Sequence, residues 1–469
     1  RFMPNSSVNR INIFLTVICG ILFGRVLIRF LPLAVTNIFF ILAIPFVCAF
    51  FLLMVTSIKS MLVVLLFLRA LLDPLLNVTK LSIFGEDIGM GGAINFFIII
   101  LVVILIMRNP KRFLQNSFYK YWIVFLFICG IAVIYSPVRG RAIRILLNWA
   151  SYMSMAMFPF LIVNSLKDKK FWLKILLIAS FLPVGFANMD LLRGGTSFID
   201  IGMRIQGTFT HPNILAFYLV LTMVIALYVL KSGLFVLTRA KKNMLCIYVV
   251  NLLILLIATK TRSAWIACWG VLFIYGLLKE KKYLVFSIIL PFLLFLHPGT
   301  VQRIQDLFTG LSVKAGVEVN SLAWRVELWK SSLPLIKKKF IYGHGLASFN
   351  ALSRDFFIVQ FWEQKNVQSH NSYLELLFET GVVGLVSYAM VFLYIARRFF
   401  SRIGKVFTDL SAGYALIFAY VISYMVICLA DNMLYYLAFN WYFWFFIGIM
   451  LKGIDFDDEK KDIRDNSVV

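Results

Sequence analysis

Residues 211–230 read HPNILAFYLVLTMVIALYVL, a stretch that contains no aspartate, glutamate, lysine or arginine. An α-helix rises 1.5 Å per residue, so a run of this length covers about 30 Å, the thickness of the hydrocarbon core of a bilayer. This stretch therefore predicts a transmembrane helix. Comparable apolar runs lie at 11–31, 34–56, 60–76, 90–107, 119–136, 145–165, 171–189, 243–259, 263–278, 283–297, 371–396, 411–430 and 434–451.

The composition of the whole chain agrees with these runs. Of its 469 residues, 61% are hydrophobic and 16% are aromatic, far more than a soluble core requires. We predict an all-α polytopic membrane protein with about 12–14 transmembrane helices. The formal net charge of +24 does not indicate nucleic acid binding, because many of the basic residues lie in short loops between apolar runs.

The basic loops predict the orientation of the chain. Lysine and arginine cluster in alternate loops, near 108–112, 167–170, 239–242, 279–282 and 397–405. By the positive-inside rule these loops are cytoplasmic, and both termini lie on the same side. The predicted organisation comprises N-terminal transmembrane helices at 1–200, helices carrying outer arginine motifs at 201–297, one long outer loop at 298–370, C-terminal transmembrane helices at 371–452 and a cytoplasmic tail at 453–469.

The long outer loop meets a transmembrane helix at the sequence HNSYLELLFETG, residues 370–381. Ser372 followed three residues later by Glu375 reads as a capping box, which predicts that a helix begins here. The positive end of the helix dipole disfavours imidazolium at His370, and a neutral imidazole can act as a general base. The alternative is a histidine at the membrane interface that only completes the cap.

Arginines on the outer side oppose the usual topology bias and suggest another role. Arg204 and Arg262 each adjoin an apolar run without an obvious acidic neighbour, and a guanidinium suits phosphate or diphosphate binding. The alternative is that long outer loops escape the positive-inside rule. Ser263 is predicted to cap the helix beside Arg262. In the long loop, residues 324–330 show the spacing of an amphipathic helix that could lie on the membrane surface.

An ordered set of these residues resembles a known family. The set comprises Arg204 with Gly207-Thr208-Phe209 and Pro212-Asn213, Thr261-Arg262-Ser263, Trp324-Arg325 with Trp329, Gly343-His344-Gly345, and His370-Asn371-Ser372-Tyr373-Leu374-Glu375 running to Gly381 and Gly384. It resembles the O-antigen ligase and O-antigen polymerase superfamily of bacterial envelope glycosyltransferases. The resemblance covers roughly residues 200–390.

The resemblance implies a glycosyltransferase C-like fold in the bacterial inner membrane, with the active site on the periplasmic face. The implied donor is a glycan on undecaprenyl diphosphate, and the implied acceptor is another glycan or the lipid A core. The family's catalytic histidine corresponds to His370, and its diphosphate-binding arginines to Arg262 and Arg204, with Arg325 as a further candidate. We find no metal-ligand pattern on the outer side, so we predict inverting transfer without a metal or other cofactor.

Three functions remain open at this stage. A polymerase would join one lipid-linked repeat to another, whereas a ligase would transfer the finished glycan to the lipid A core or to a protein. We expect a polymerase, because no added domain for a protein acceptor is evident. The third possibility is an anion transporter of the bicarbonate type, although the sequence shows no inverted repeat with matched broken helices.

Overall fold

The computed structural model describes residues 57–74, 80–83, 86–193, 204–295, 321–357, 367–404 and 408–465. The predicted spans at 11–31 and 34–56 lie outside these residues. The chain divides into two compact units, Arg1–Leu68 and Arg69–Val469. All residues of the candidate active site described below lie in the second unit.

The described residues are almost entirely helical, which confirms the predicted all-α class. The helices are α1 (Ile58–Leu71), α2 (Met90–Arg108), α3 (Pro110–Leu114), α4 (Phe118–Ile134), α5 (Arg139–Ile162), α6 (Leu166–Leu192), α7 (Pro212–Lys231), α8 (Arg239–Ala258), α9 (Arg262–Leu278), α10 (Lys281–Phe295), α11 (Ser321–Lys338), α12 (Ser348–Phe356), α13 (Ser372–Phe400), α14 (Thr408–Ile427) and α15 (Leu437–Asp465). A 3-10 turn at Met433–Tyr435 precedes α15. Two short antiparallel strands, β1 (Lys80–Ile83) and β2 (Glu86–Gly89), form a hairpin that the sequence did not predict.

Seven of these helices are long and apolar enough to cross a bilayer, namely α5, α6, α7, α8, α13, α14 and α15. Shorter apolar helices of 10–17 residues lie within α2, α4 and α9. The protein is therefore a multi-pass membrane protein, while the number of passes stays a prediction. The segment from 453 onward, predicted as a tail, continues α15 as far as Asp465.

Two apolar helices form the centre of the bundle. Most of α7 and α15 is buried, whereas α8 is largely exposed at the periphery. α15 packs along α5, and α9 packs along α14. Large aromatic side chains fill the interior, for example where the rings of Trp122 and Trp444 meet edge to face at 4.6 Å. This rigid interior holds the helix ends that carry the site.

A buried ion pair anchors the loop before α7. Arg69 and Asp73 are joined at 2.9 Å, as their spacing on one helical face predicts. Asp73 also accepts hydrogen bonds from the Thr210 main-chain N–H at 3.1 Å and from its hydroxyl at 2.8 Å. Thr208 donates to the carbonyl of Ala70 at 2.6 Å. The Gly-Thr-Phe part of the family motif is therefore fixed by the end of α1.

Helix α13 is interrupted at Gly381, whose φ of 68° and ψ of −172° lie outside the helical region. The turn before α12 docks onto the main chain exposed by this kink, with hydrogen bonds from Val382 N to Phe340 O and from His344 N to Phe378 O, both at 2.9 Å. A Cβ on Gly343 would lie 2.5 Å from the carbonyl carbon of Glu379. Glycine is required where two main chains approach this closely.

Helix α11 packs its apolar face onto protein, and its location at the membrane surface stays a prediction. Leu328 and Ile336 join Phe349 of α12 and Phe378 of α13 in a buried cluster. The amphipathic spacing was recognised correctly, but its apolar face meets α12 and α13. This packing places the tryptophans of α11 beside the start of α13.

Candidate active site

The start of α13 lies where the sequence predicts it, but the capping residue differs. Asn371 is the N-cap, and its side-chain oxygen accepts from the N–H groups of Tyr373 at 3.1 Å and Leu374 at 3.0 Å. The predicted cap, Ser372, instead donates its hydroxyl to the main-chain oxygen of Asp431 at 2.9 Å. A tertiary contact has replaced the local capping bond.

Ser369, the residue before His370, is fixed by several hydrogen bonds. Glu375 accepts from the hydroxyl of Ser369 at 2.6 Å and from its N–H at 3.3 Å. The indole of Trp329 donates to the carbonyl of Ser369 at 2.7 Å. Asn432 donates to the same Glu375 oxygen at 2.7 Å. These bonds hold His370 in a left-handed conformation with φ 52°, which non-glycine residues adopt rarely.

The surroundings of His370 keep its imidazole neutral. Burial and the positive charge of Arg325 together lower the pKa of His370 from 6.5 to about 4, against the opposing negative charge of Asp431. The ring meets the edge of Trp324 at 6.0 Å. Its Nδ1 makes no hydrogen bond to any residue in the described part of the chain. Neutrality was predicted from the helix dipole, whereas burial and Arg325 are the larger causes.

Asp431 is a central residue that the sequence analysis missed. One carboxylate oxygen accepts from the hydroxyl of Tyr436 at 2.5 Å and from the N–H of Asn432 at 2.9 Å. The other accepts from the hydroxyl of Ser263 at 2.9 Å and from the amide of Asn213 at 3.3 Å. The sequence held one indication of its role, because Asp431 is an acidic residue in the short turn between the apolar runs 411–430 and 434–451.

Arg204 connects the start of α7 with the turn before α9. It donates from Nε to the carbonyl of Thr259 at 2.8 Å, and from Nη2 to the hydroxyl of Thr261 at 2.6 Å and the side-chain oxygen of Asn213 at 2.7 Å. Through Asn213 it belongs to the same hydrogen-bond network as Asp431.

Arg262 is the first residue of α9 and is half-buried. Thr261 is the N-cap of this helix, so the prediction that Ser263 caps it is wrong. The hydroxyl of Ser263 binds Asp431 instead. The flanking residues Thr261 and Ser263 thus tie Arg262 to Arg204 on one side and to Asp431 on the other.

Arg325 reaches the same region from α11. Its Nη1 donates to the carbonyl of Ala430 at 3.0 Å, next to Asp431 in the chain. Its charge also acts on His370. Two tryptophans of α11 also reach this region, Trp324 beside the ring of His370 and Trp329 bonded to the carbonyl of Ser369.

A second imidazole, that of His211, lies at the N-terminus of α7. Its Nδ1 accepts from the N–H of Asn213 at 3.1 Å, which places the proton of the neutral ring on Nε2. Burial and the charge of Arg204 lower the pKa of His211, while Asp431 raises it. His344, by contrast, bonds the carbonyl of Leu335 at 2.8 Å and has the structural role that its glycine-flanked turn suggested.

Three helix N-termini therefore converge on Asp431. The second residues of α7 and α9, Asn213 and Ser263, bind its carboxylate, and the first residue of α13, Ser372, binds its carbonyl. Helix N-termini attract anions. Three arginines, Arg204, Arg262 and Arg325, accompany two carboxylates, Asp431 and Glu375, in this part of the structure, so the count of these side chains also favours an anion.

Residues 247–389 match the family model described as O-antigen ligase. The match confirms the resemblance to the O-antigen ligase and polymerase superfamily. It includes Arg262, Arg325 and His370, and it leaves Arg204 and Asp431 outside its limits. No curated protein matches the chain.

Proposed function

We propose that this protein transfers a glycan from undecaprenyl diphosphate to a sugar hydroxyl, with His370 as general base, at the outer face of the bacterial inner membrane. The family match supports a membrane protein of the glycan-transferring type. The observation that carries the assignment is the imidazole of His370, which burial and the charge of Arg325 keep neutral and whose Nδ1 has no hydrogen-bond partner among the described residues.

In the proposed reaction, the imidazole of His370 accepts the proton of the acceptor hydroxyl. The hydroxyl oxygen then bonds to the anomeric carbon of the donor sugar, and the bond between that carbon and the diphosphate oxygen breaks. The electron pair of the broken bond leaves with the diphosphate. One displacement of this kind inverts the anomeric configuration.

The leaving diphosphate needs fixed positive charge, because negative charge develops on it as the bond breaks. Arg262, at the start of α9, and Arg325, beside the Asp431 turn, supply this charge in our proposal. Arg204 adds its charge and also holds the turn that carries Arg262, through its bond to Thr261. The helix N-termini supply further donors.

Asp431 has two roles in this proposal. Its bonds to Asn213 and Ser263 hold the starts of α7 and α9 together. Its negative charge also favours protonated His370, the state that forms when the base has taken its proton. His370 is therefore neutral before the reaction, and the negative charge of Asp431 stabilises the imidazolium that forms when His370 takes the proton.

We propose polymerisation of O-antigen or exopolysaccharide repeats as the overall activity, with ligation as the second candidate. The description of the matched family as O-antigen ligase favours transfer to the lipid A core. Both reactions use the same donor and the same base, so the acceptor alone distinguishes them.

The test is transfer by the purified protein from an undecaprenyl-diphosphate oligosaccharide in EDTA, with products resolved on a ladder gel. Repeats added to one another would identify a polymerase, and transfer only when lipid A core is supplied would identify a ligase. Arg262→Gln should lose activity, whereas Arg354→Gln, an exposed arginine on α12, is the matched control. Absence of transfer with any acceptor would refute the proposal and favour the transporter.

A further inference from the structure

A second polar site lies at the opposite end of α7 from Asp431. The helix begins at Pro212 beside the candidate active site and ends at Lys231, a distance of about 30 Å for its length. A cleft of about 510 Å³ opens there between the end of α7, the segment that leads to α8, the α9–α10 junction and the start of α14. Its basic loops belong to the side predicted to be cytoplasmic.

One carboxylate at the cleft, that of Glu280, is already paired with two lysines. Glu280 binds Lys231 and Lys282, each at 2.8 Å, and accepts from the hydroxyl of Tyr275 at 2.6 Å. Burial raises the pKa of Glu280, but these hydrogen bonds outweigh it and lower the pKa to about 2. Glu280 therefore stays ionised at neutral pH and compensates one of the two lysine charges beside it.

Three other charged side chains line the cleft without such compensation. Lys242 and Lys279 form no ion pair within 4 Å with any residue that the structure describes, and the same holds for Asp409. The carboxylate of Asp409 lies against Gly233, where an added Cβ would come within 2.9 Å of its Oδ2. The cleft thus presents two cations and one anion to a ligand.

The rim of the cleft is apolar. Phe235, Val236 and Leu237 line it in succession, and the side chain of Val236 is fully exposed, at 101%. On α8, which follows, Met244 and Ile247 are 68% and 70% exposed. Exposed apolar side chains at the end of a transmembrane helix fit contact with acyl chains.

We propose that this cleft binds the headgroup of a phospholipid that carries both a phosphate and a primary ammonium, as phosphatidylethanolamine does. The phosphate contacts Lys242 and Lys279, the ammonium contacts Asp409, and the acyl chains follow Phe235 and Val236. A purely anionic headgroup would face Asp409 with a like charge, so both signs of charge select the zwitterion. This site does not depend on the glycan-transfer proposal.

The test is native mass spectrometry of the delipidated full chain in detergent with equal amounts of phosphatidylethanolamine and phosphatidylglycerol. The wild type should retain phosphatidylethanolamine in preference. Asp409→Asn should lower that retention by about tenfold, the value of one charge-assisted contact, and should raise retention of phosphatidylglycerol. Lys242→Gln with Lys279→Gln should lower retention of both lipids.

Two controls keep the test decisive. Lys337→Gln, an exposed lysine on α11, should leave lipid retention unchanged, and Asp409→Glu should preserve the preference if a carboxylate is what selects the ammonium. Equal retention of both lipids by the wild type would overturn the proposal, as would an unchanged preference in Asp409→Asn. Competition by soluble glycerophosphoethanolamine at the same concentration as the lipid would assign the cleft to a soluble phosphate ester instead.

Discussion

Replacing Arg325 by methionine should move the acid limb of the pH–rate profile upward. Methionine keeps an unbranched side chain, shorter than that of arginine, and lacks the charge that opposes protonation of His370. Burial is the first cause of the low pKa of His370 and Arg325 is the next, so the pKa should rise in the variant and stay below 6.5.

This change lowers the neutral fraction of His370 only at acid pH. At pH 7 most of the imidazole is neutral in both proteins, because burial still holds the pKa of His370 below 6.5. A loss of kcat/KM at pH 7 therefore reports the other contacts of Arg325, namely the proposed contact with the diphosphate and the hydrogen bond to the carbonyl of Ala430, and we expect a loss of about 10–100-fold for one charged hydrogen bond.

The assay is kcat/KM for glycan transfer between pH 4 and pH 8, because this quantity reports the pKa values of the free enzyme. Arg325→Lys is the control, since it retains the positive charge and should leave the acid limb in place. An acid limb that does not move in Arg325→Met, or that moves to lower pH, would refute the assignment of His370 as the base controlled by Arg325.

Asp431→Asn should shift the same acid limb to lower pH, because it removes the charge that raises the pKa of His370. The variant should also lower kcat by at least about tenfold, and a pH–rate profile measures both effects. Glu375→Gln should retain most activity, because the glutamine side-chain oxygen can still accept the hydrogen bonds of Ser369. Glu375→Ala should lose about 10–100-fold in kcat with less change in KM, as steady-state kinetics would show. Gly381→Ala should destabilise the fold by about 1–3 kcal/mol, because its positive φ and the main chain of Ile341 and Tyr342 leave no room for a Cβ. Gly185→Ala is the control and should be neutral or stabilising, because no other atom lies near the position of its Cβ. Thermal unfolding in detergent compares the two variants, and equal melting temperatures would contradict the account of the kink.

The helices were predictable because their signal is local. The run at 211–230 became α7 at Pro212–Lys231, and the run at 371–396 became the first part of α13 at Ser372–Phe400. Length and hydropathy determine such helices in a bilayer, with little influence from distant residues. The placement of His370 before a helix was predictable for the same reason.

The centre of the site was not predictable, because its bonds join residues far apart in the chain. Asp431 meets Ser263 and Asn213 only after α7, α9 and α14 have packed, and no sequence spacing records that contact. The same packing diverted Ser263 and Ser372 from capping, which local rules favoured. Tertiary hydrogen bonds to the carboxylate and to the main-chain carbonyl of Asp431 outweighed the two local caps.

The measurement that tests the central claim most directly is single-turnover glycan transfer by His370→Ala with and without added imidazole. Loss of a general base should slow transfer by about 100-fold or more while donor binding persists, and free imidazole should restore part of the rate in proportion to its neutral form. Transfer by His370→Ala at the wild-type rate would contradict the account. A slow variant that imidazole does not rescue, although the donor still binds, would likewise remove His370 from the role of base.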